Sequence, residues 1–105
     1  MNEYVDAYEK EMLQKIDAGE KLSEEDIETI IQEFEKYDER KYGENLRWVR
    51  PVTSIVALDD RYFAIKWYET ITGYQENGFF DQPYEVERKI YPKTIMVTEW
   101  IKKEK

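Results

Sequence analysis

Val52-Thr53-Ser54-Ile55-Val56-Ala57-Leu58-Asp59-Asp60-Arg61-Tyr62-Phe63-Ala64-Ile65-Lys66-Trp67-Tyr68 is the stretch that decides the fold. Two β-prone runs flank a pair of acids, and a two-residue loop between such runs is the signal of a β-hairpin. With Asp59-Asp60 as the loop, Leu58 faces Arg61, Val56 faces Phe63, Ser54 faces Ile65 and Val52 faces Trp67. Arg50 then faces Glu69, an opposite-charge pair across the strands. Trp48, Val52, Val56, Leu58, Phe63, Ile65 and Trp67 fall on one face; Thr53, Ile55, Ala57, Tyr62, Ala64, Lys66 and Tyr68 fall on the other. A one-residue slip would mix the two sets, so the pattern selects the register and turns the first face inward.

Upstream lie two helices. From Glu3 to Ala18 the apolar positions Val5, Tyr8, Met12, Leu13 and Ile16 recur at steps of three and four, the stripe of an amphipathic helix. Gly19 stands where a helix-terminating glycine belongs. Ser23 with Asp26 has the spacing of a capping box, and Leu22 with Ile27 that of a hydrophobic staple. Ile27, Ile30, Ile31, Phe34 and Tyr37 give the second helix its apolar face. Its last turns hold Lys36, Arg40 and Lys41, and Gly43 is expected to close it. The short link between the helices predicts an antiparallel helical hairpin.

Downstream, Thr70 to Pro83 holds two glycines, Asn77-Gly78 and a proline, and reads as a long loop. It carries Tyr74, Glu76, Phe79, Phe80 and Asp81. Two readings stand for its aromatics: they cap the open end of the core, or they anchor a partner. Tyr84 to Tyr91 and Thr94 to Ile101 read as two more strands, divided at Tyr91-Pro92-Lys93. The expected fold is a single α+β domain over residues 1–105. An acidic helical hairpin (1–43) packs on a mainly antiparallel sheet of three to four strands (46–101), with the long loop at 70–83.

The charge is uneven. Residues 1–43 hold fourteen acids and six bases, and residues 44–105 ten of each, so the net −8 lies wholly in the helical part. That argues against ordinary nucleic-acid binding, which needs a basic footprint, and suits a protein partner with a basic surface. On a helical wheel Glu25, Glu28, Gln32, Glu35 and Glu39 share one flank of the second helix without a base. The flank is either a solvated face or a row of carboxylates offered to a basic groove. Glu25, Glu28, Glu35, Glu39, Tyr74, Glu76, Phe79, Phe80 and Asp81 are therefore the candidate partner-binding residues.

Catalysis is not expected. The chain has neither histidine nor cysteine, which removes every His-activated nucleophile and every thiolate metal site. Ser23 is committed to a helix cap and Ser54 sits mid-strand. No phosphate-cradling glycine loop or calcium-loop spacing occurs. No cofactor is expected. No apolar run is long enough for a membrane span, and the N-terminus lacks the features of a signal peptide, so a cytoplasmic location is expected.

The runs Arg47-Trp48-Val49-Arg50-Pro51-Val52-Thr53-Ser54-Ile55-Val56, Asp60-Arg61-Tyr62-Phe63-Ala64-Ile65, Tyr74-Gln75-Glu76-Asn77, Asp81-Gln82-Pro83-Tyr84-Glu85-Val86 and Val97-Thr98-Glu99-Trp100 resemble short uncharacterised proteins of phages and mobile elements of Gram-positive bacteria. The likeness spans about residues 46–101 and brings no assigned active residues. It implies a phage accessory protein acting in the host cytoplasm, and an inhibitor of a host defence system of the anti-CRISPR kind. An immunity-type or regulatory partner of a basic toxin or enzyme is the alternative. A sequestering binder of a nucleotide signal is a third, from a different class.

Overall fold

In the computed structural model, which describes residues 3–71, 77–79, 81–91 and 97–103, the central hairpin has the register the sequence predicts. Strand β2 (Val49–Leu58) and strand β3 (Arg61–Thr70) pair antiparallel from Leu58↔Arg61 to Val49↔Thr70. Asp59 occupies the left-handed backbone region (φ 59°), which aspartate tolerates better than most residues. Its amide donates to Glu9 Oε2 at 2.7 Å, tying the hairpin tip to the first helix. Arg50 and Glu69 form the expected cross-strand ion pair.

One face of this hairpin is the core. Val52, Ser54, Val56, Leu58, Phe63 and Ile65 have no solvent exposure, and Trp67 is buried beside them. Trp48 breaks the expectation: it is 48% exposed. It lies just outside β2, and the Arg47 guanidinium sits 4.8 Å from its ring centroid. The other face is not left to water either. Ile55, Ala64 and Val86 form a second small buried cluster, with Tyr62 and Trp100 packed on it.

The reason is a curled sheet of five strands rather than three or four, in the order β1-β2-β3-β4-β5, each antiparallel to its neighbour. The additional strand is β1 (Lys41–Tyr42), pairing Lys41 with Thr53 and Tyr42 with Val52. It occupies residues expected to be helical. Strand β4 (Tyr84–Tyr91) meets β3 only at Tyr62–Ala64, and β5 (Val97–Lys102) completes the sheet. The far half of β3 is paired instead by Gly78, whose amide and carbonyl both bond Tyr68 at 2.9 Å. Thr94–Met96, expected in the last strand, lie outside the described residues, as does the end of the charged tail, Glu104–Lys105.

Helix α1 (Glu3–Asp17), helix α2 (Glu24–Phe34) and the link between them cover the core face with Met12, Leu22, Ile27, Ile30 and Ile31. Ser23 Oγ accepts the Asp26 amide at 3.1 Å, the predicted cap. Gly19 (φ 75°) ends α1, and the Glu20 amide returns to the Lys15 carbonyl at 2.9 Å. The link between the helices is clasped by Gln82, whose side-chain amide accepts from Leu22 N–H (2.8 Å) and donates to Leu22 C=O (3.1 Å). α2 stops at Phe34, nine residues short of the expected Gly43. A 3₁₀ turn, Tyr37–Glu39, leads into β1.

Polar contacts between the helices gather at Asp26, reached by the Tyr8 hydroxyl (3.0 Å) and by Lys15 Nζ (3.8 Å). Burial, with the Asp26 carboxylate beside it, pushes the Tyr8 phenol from 10.0 up to about 12. The folded pKa thus lies above the unfolded one, so Tyr8 contributes stability that is complete below pH 10 and is lost as pH rises toward 12. Denaturation midpoints measured across that window should fall for the wild type, and fall less steeply for Tyr8→Phe.

Candidate functional site

The sequence of α2, Glu24-Glu25-Asp26-Ile27-Glu28-Thr29-Ile30-Ile31-Gln32-Glu33-Phe34, holds five acids and no base. Burying Ile27, Ile30 and Ile31 fixes the rotation of the helix and leaves Glu24, Glu25, Glu28, Gln32 and Glu33 outside. Asp26 is the acid that turns in, toward Tyr8 and Lys15. Among the described residues no cation pairs with Glu24, Glu25, Glu28 or Glu33; Glu28 accepts only a long bond from Gln32 Nε2, at 3.4 Å.

The expected row does not continue to Glu35 and Glu39. Glu35 leaves the helix with extended backbone (φ −69°, ψ 137°), and the Lys36 amide donates to the Ile55 carbonyl at 2.7 Å, so the chain is captured by the sheet. The Glu35 side chain is 8% exposed. It accepts from Arg40 through Nε (2.8 Å) and Nη2, and from the Ser54 hydroxyl. Ser54 Oγ in turn accepts the Trp67 indole N–H at 2.8 Å. The Arg40 guanidinium lies 4.4 Å from the Tyr37 ring and 5.4 Å from that of Trp67, and the Glu35 hydrogen bonds push its pKa further up. Glu39 is also engaged, accepting the Trp100 indole N–H at 2.7 Å. Tertiary partners override the helical propensity of this segment.

The same arrangement creates a cleft of about 380 Å³ between α2 and the Asn77–Phe79 segment. Glu28 and Gln32 form one rim. Tyr37, 69% exposed, and Asn77 lie across from them, and Ile31, Glu35, Arg40, Trp67 and Phe79 line the rest. Phe79 is buried and stacks on Trp67 with centroids 5.3 Å apart and planes at 18°. It caps the core instead of standing out as an anchor. Asn77 Oδ1 accepts the Thr70 amide at 2.8 Å, which holds this wall to β3.

The nine candidates thus divide. Glu25 and Glu28 are exposed on α2, Glu35 and Phe79 are internal, and Glu39 is bonded to Trp100. Asp81 is exposed away from the cleft. Tyr74, Glu76 and Phe80 lie outside the described residues. No protein-family model, curated protein or solved structure matches this chain.

Reasoning from sequence missed Tyr37, Arg40, Ser54 and Trp67 as parts of one site. Ser54 carried a usable signal: it is the single hydroxyl on an otherwise apolar strand face, and a buried hydroxyl requires partners. Chemically, the cleft pairs two carboxylates with one guanidinium over an aromatic base. It suits the stem and head of an incoming basic side chain, held by Glu28 at the rim and flanked by the Tyr37 ring. No helix among the described residues is long and apolar enough to cross a membrane.

Proposed function

We propose that this protein is a non-enzymatic inhibitor that docks α2 and its cleft onto a basic protein surface. The observation that carries the reading is a helix with four exposed carboxylates, unpaired among the described residues, beside an aromatic-based cleft rimmed by one of them. The net charge of −8 steers the protein toward a positive partner from a distance. At contact, Glu24, Glu25, Glu28 and Glu33 meet the partner's Lys and Arg heads, and the cleft takes one basic side chain along its length. A surface evolved for nucleic acid supplies such cations. With the resemblance to phage proteins, this favours a host-defence nucleoprotein as the target, blocked at its nucleic-acid groove.

The partner captured from a host lysate is the reagent for the test. Glu24, Glu25, Glu28 and Glu33 all changed to Gln should lower the association rate by about tenfold at low salt, and by less at high salt. A control removing charge elsewhere, Glu44→Gln with Asp60→Asn, should change it much less. Equal rates for the wild type and the α2 variant would overturn the reading.

A further inference from the structure

The strand register sorts the charges of the sheet onto opposite sides. Glu69, Glu85, Glu87 and Glu99 all fall on the side of the core, where Arg50 pairs with Glu69 and Arg61 with Glu85. The other side, turned away from α1 and α2, receives Lys41, Lys66, Arg88 and Lys102 and, among the described residues, no strand carboxylate. All four cations are exposed, and none has an ion-pair partner among the described residues. In a chain of net charge −8 they form a local basic footprint that the total conceals.

Aromatic rings lie among these cations. Tyr62, Tyr68, Tyr84 and Trp100 share the face, and Lys66 Nζ is 5.6 Å from the Tyr68 ring centroid. Lys41 pairs with Thr53 and Thr53 with Lys66, so the two lysines stand two strand spacings apart, about 10 Å. Tyr84 pairs with Ala64, diagonal to Lys66. A shallow groove of about 70 Å³ joins Lys41, Thr53, Tyr84 and Trp100 over a floor of Ile55, Ala64 and Val86. Glu39, the one acid of its lining, accepts the Trp100 indole N–H, and the Trp100 ring rests against Tyr62 with centroids 4.9 Å apart. Tyr84, 42% exposed, is the ring most open to a ligand.

We infer that this face binds single-stranded nucleic acid without sequence preference. The cations follow the backbone phosphates, while bases stack on Tyr84 and against the half-buried Trp100. A duplex would meet the same cations with its bases turned away from the rings. The face shares no residue with α2 or its cleft and lies across the sheet from them, so it stands independently of the inhibitor reading.

Fluorescence anisotropy of a labelled oligothymidylate of about twelve nucleotides, titrated with the full chain, tests it. Binding should saturate within the roughly 1–100 µM of sequence-independent complexes, with a slope of log K against log salt of about −2 to −3, since each phosphate neutralised contributes about 0.7. A duplex of the same length should bind more weakly by about fivefold. Lys66→Gln with Lys102→Gln should weaken the single strand by about tenfold at low salt and reduce the slope by about 1.4. Lys10→Gln with Lys21→Gln removes the same charge from the helical part and should change both far less. Tyr84→Ala should weaken binding by about fivefold or more with the slope unchanged, which separates stacking from charge. Should that variant unfold, the exposed lysine pairs keep the comparison. No saturation by about 100 µM, or equal weakening by the two lysine pairs, would overturn the face as a site. A duplex bound as tightly as the single strand would overturn the stacking role. Salt-dependent self-association of the protein alone would also overturn it, since the acidic α2 of a second copy would then be the occupant.

Discussion

Trp67→Ala should lower the stability of this protein by about 3–5 kcal/mol, the usual range for a core tryptophan. The indole is 6% exposed, stacks on Phe79 and donates to Ser54. Removing it opens a cavity, frees Phe79 from its partner and leaves the Ser54 hydroxyl short of one bond. Its neighbour Tyr68 faces the other way and is only half-buried, so Tyr68→Ala should cost clearly less. Urea denaturation of the two variants checks this. Equal losses would contradict the alternation that the register imposes.

Arg40→Ala is expected to cost a similar amount, about 3–5 kcal/mol, for a different reason. The two side chains of the Arg40–Glu35 pair are only 14% and 8% exposed. Deleting the guanidinium strands a carboxylate beside Ser54 and Trp67. Arg40→Lys should recover little, because one ammonium cannot make the two-pronged contact to Glu35 and lies poorly on the Tyr37 and Trp67 rings. Adding Glu35→Gln to Arg40→Ala should restore part of the loss, since the buried charge is then removed with its partner. A denaturation midpoint unmoved by Arg40→Ala would show that the pair behaves as a solvated one.

The contrast between these residues and the hairpin explains what could be read in advance. Asp59-Asp60, the pairing of Arg50 with Glu69, the Ser23 cap and the Gly19 stop are local or follow from period-two alternation, so the sequence displays them. The end of α2 is not local. Glu35 is drawn out of the helix by Ser54, nineteen residues on, and Glu39 by Trp100, sixty-one residues on. Read along a helical wheel, both look like members of an exposed flank. β1 has two residues, too few for any periodicity to register. Phe79 was legible only as a choice, and its stacking on the Trp67 ring decides it for the core.

The clasp of Gln82 on Leu22 spans sixty residues of chain, while every strand of the sheet pairs with its sequence neighbour. Adjacent pairing lets the meander zip up through short loop closures, whereas the clasp carries the larger closure entropy. On the ribosome, the link between the helices therefore has no means of being locked until the start of β4 has left the tunnel. In the finished protein, the amide of Leu22 should exchange with solvent only when the segment before β4 lifts away. Hydrogen exchange at one residue near the N-terminus thus reports on the docking of a segment four-fifths of the way along the chain.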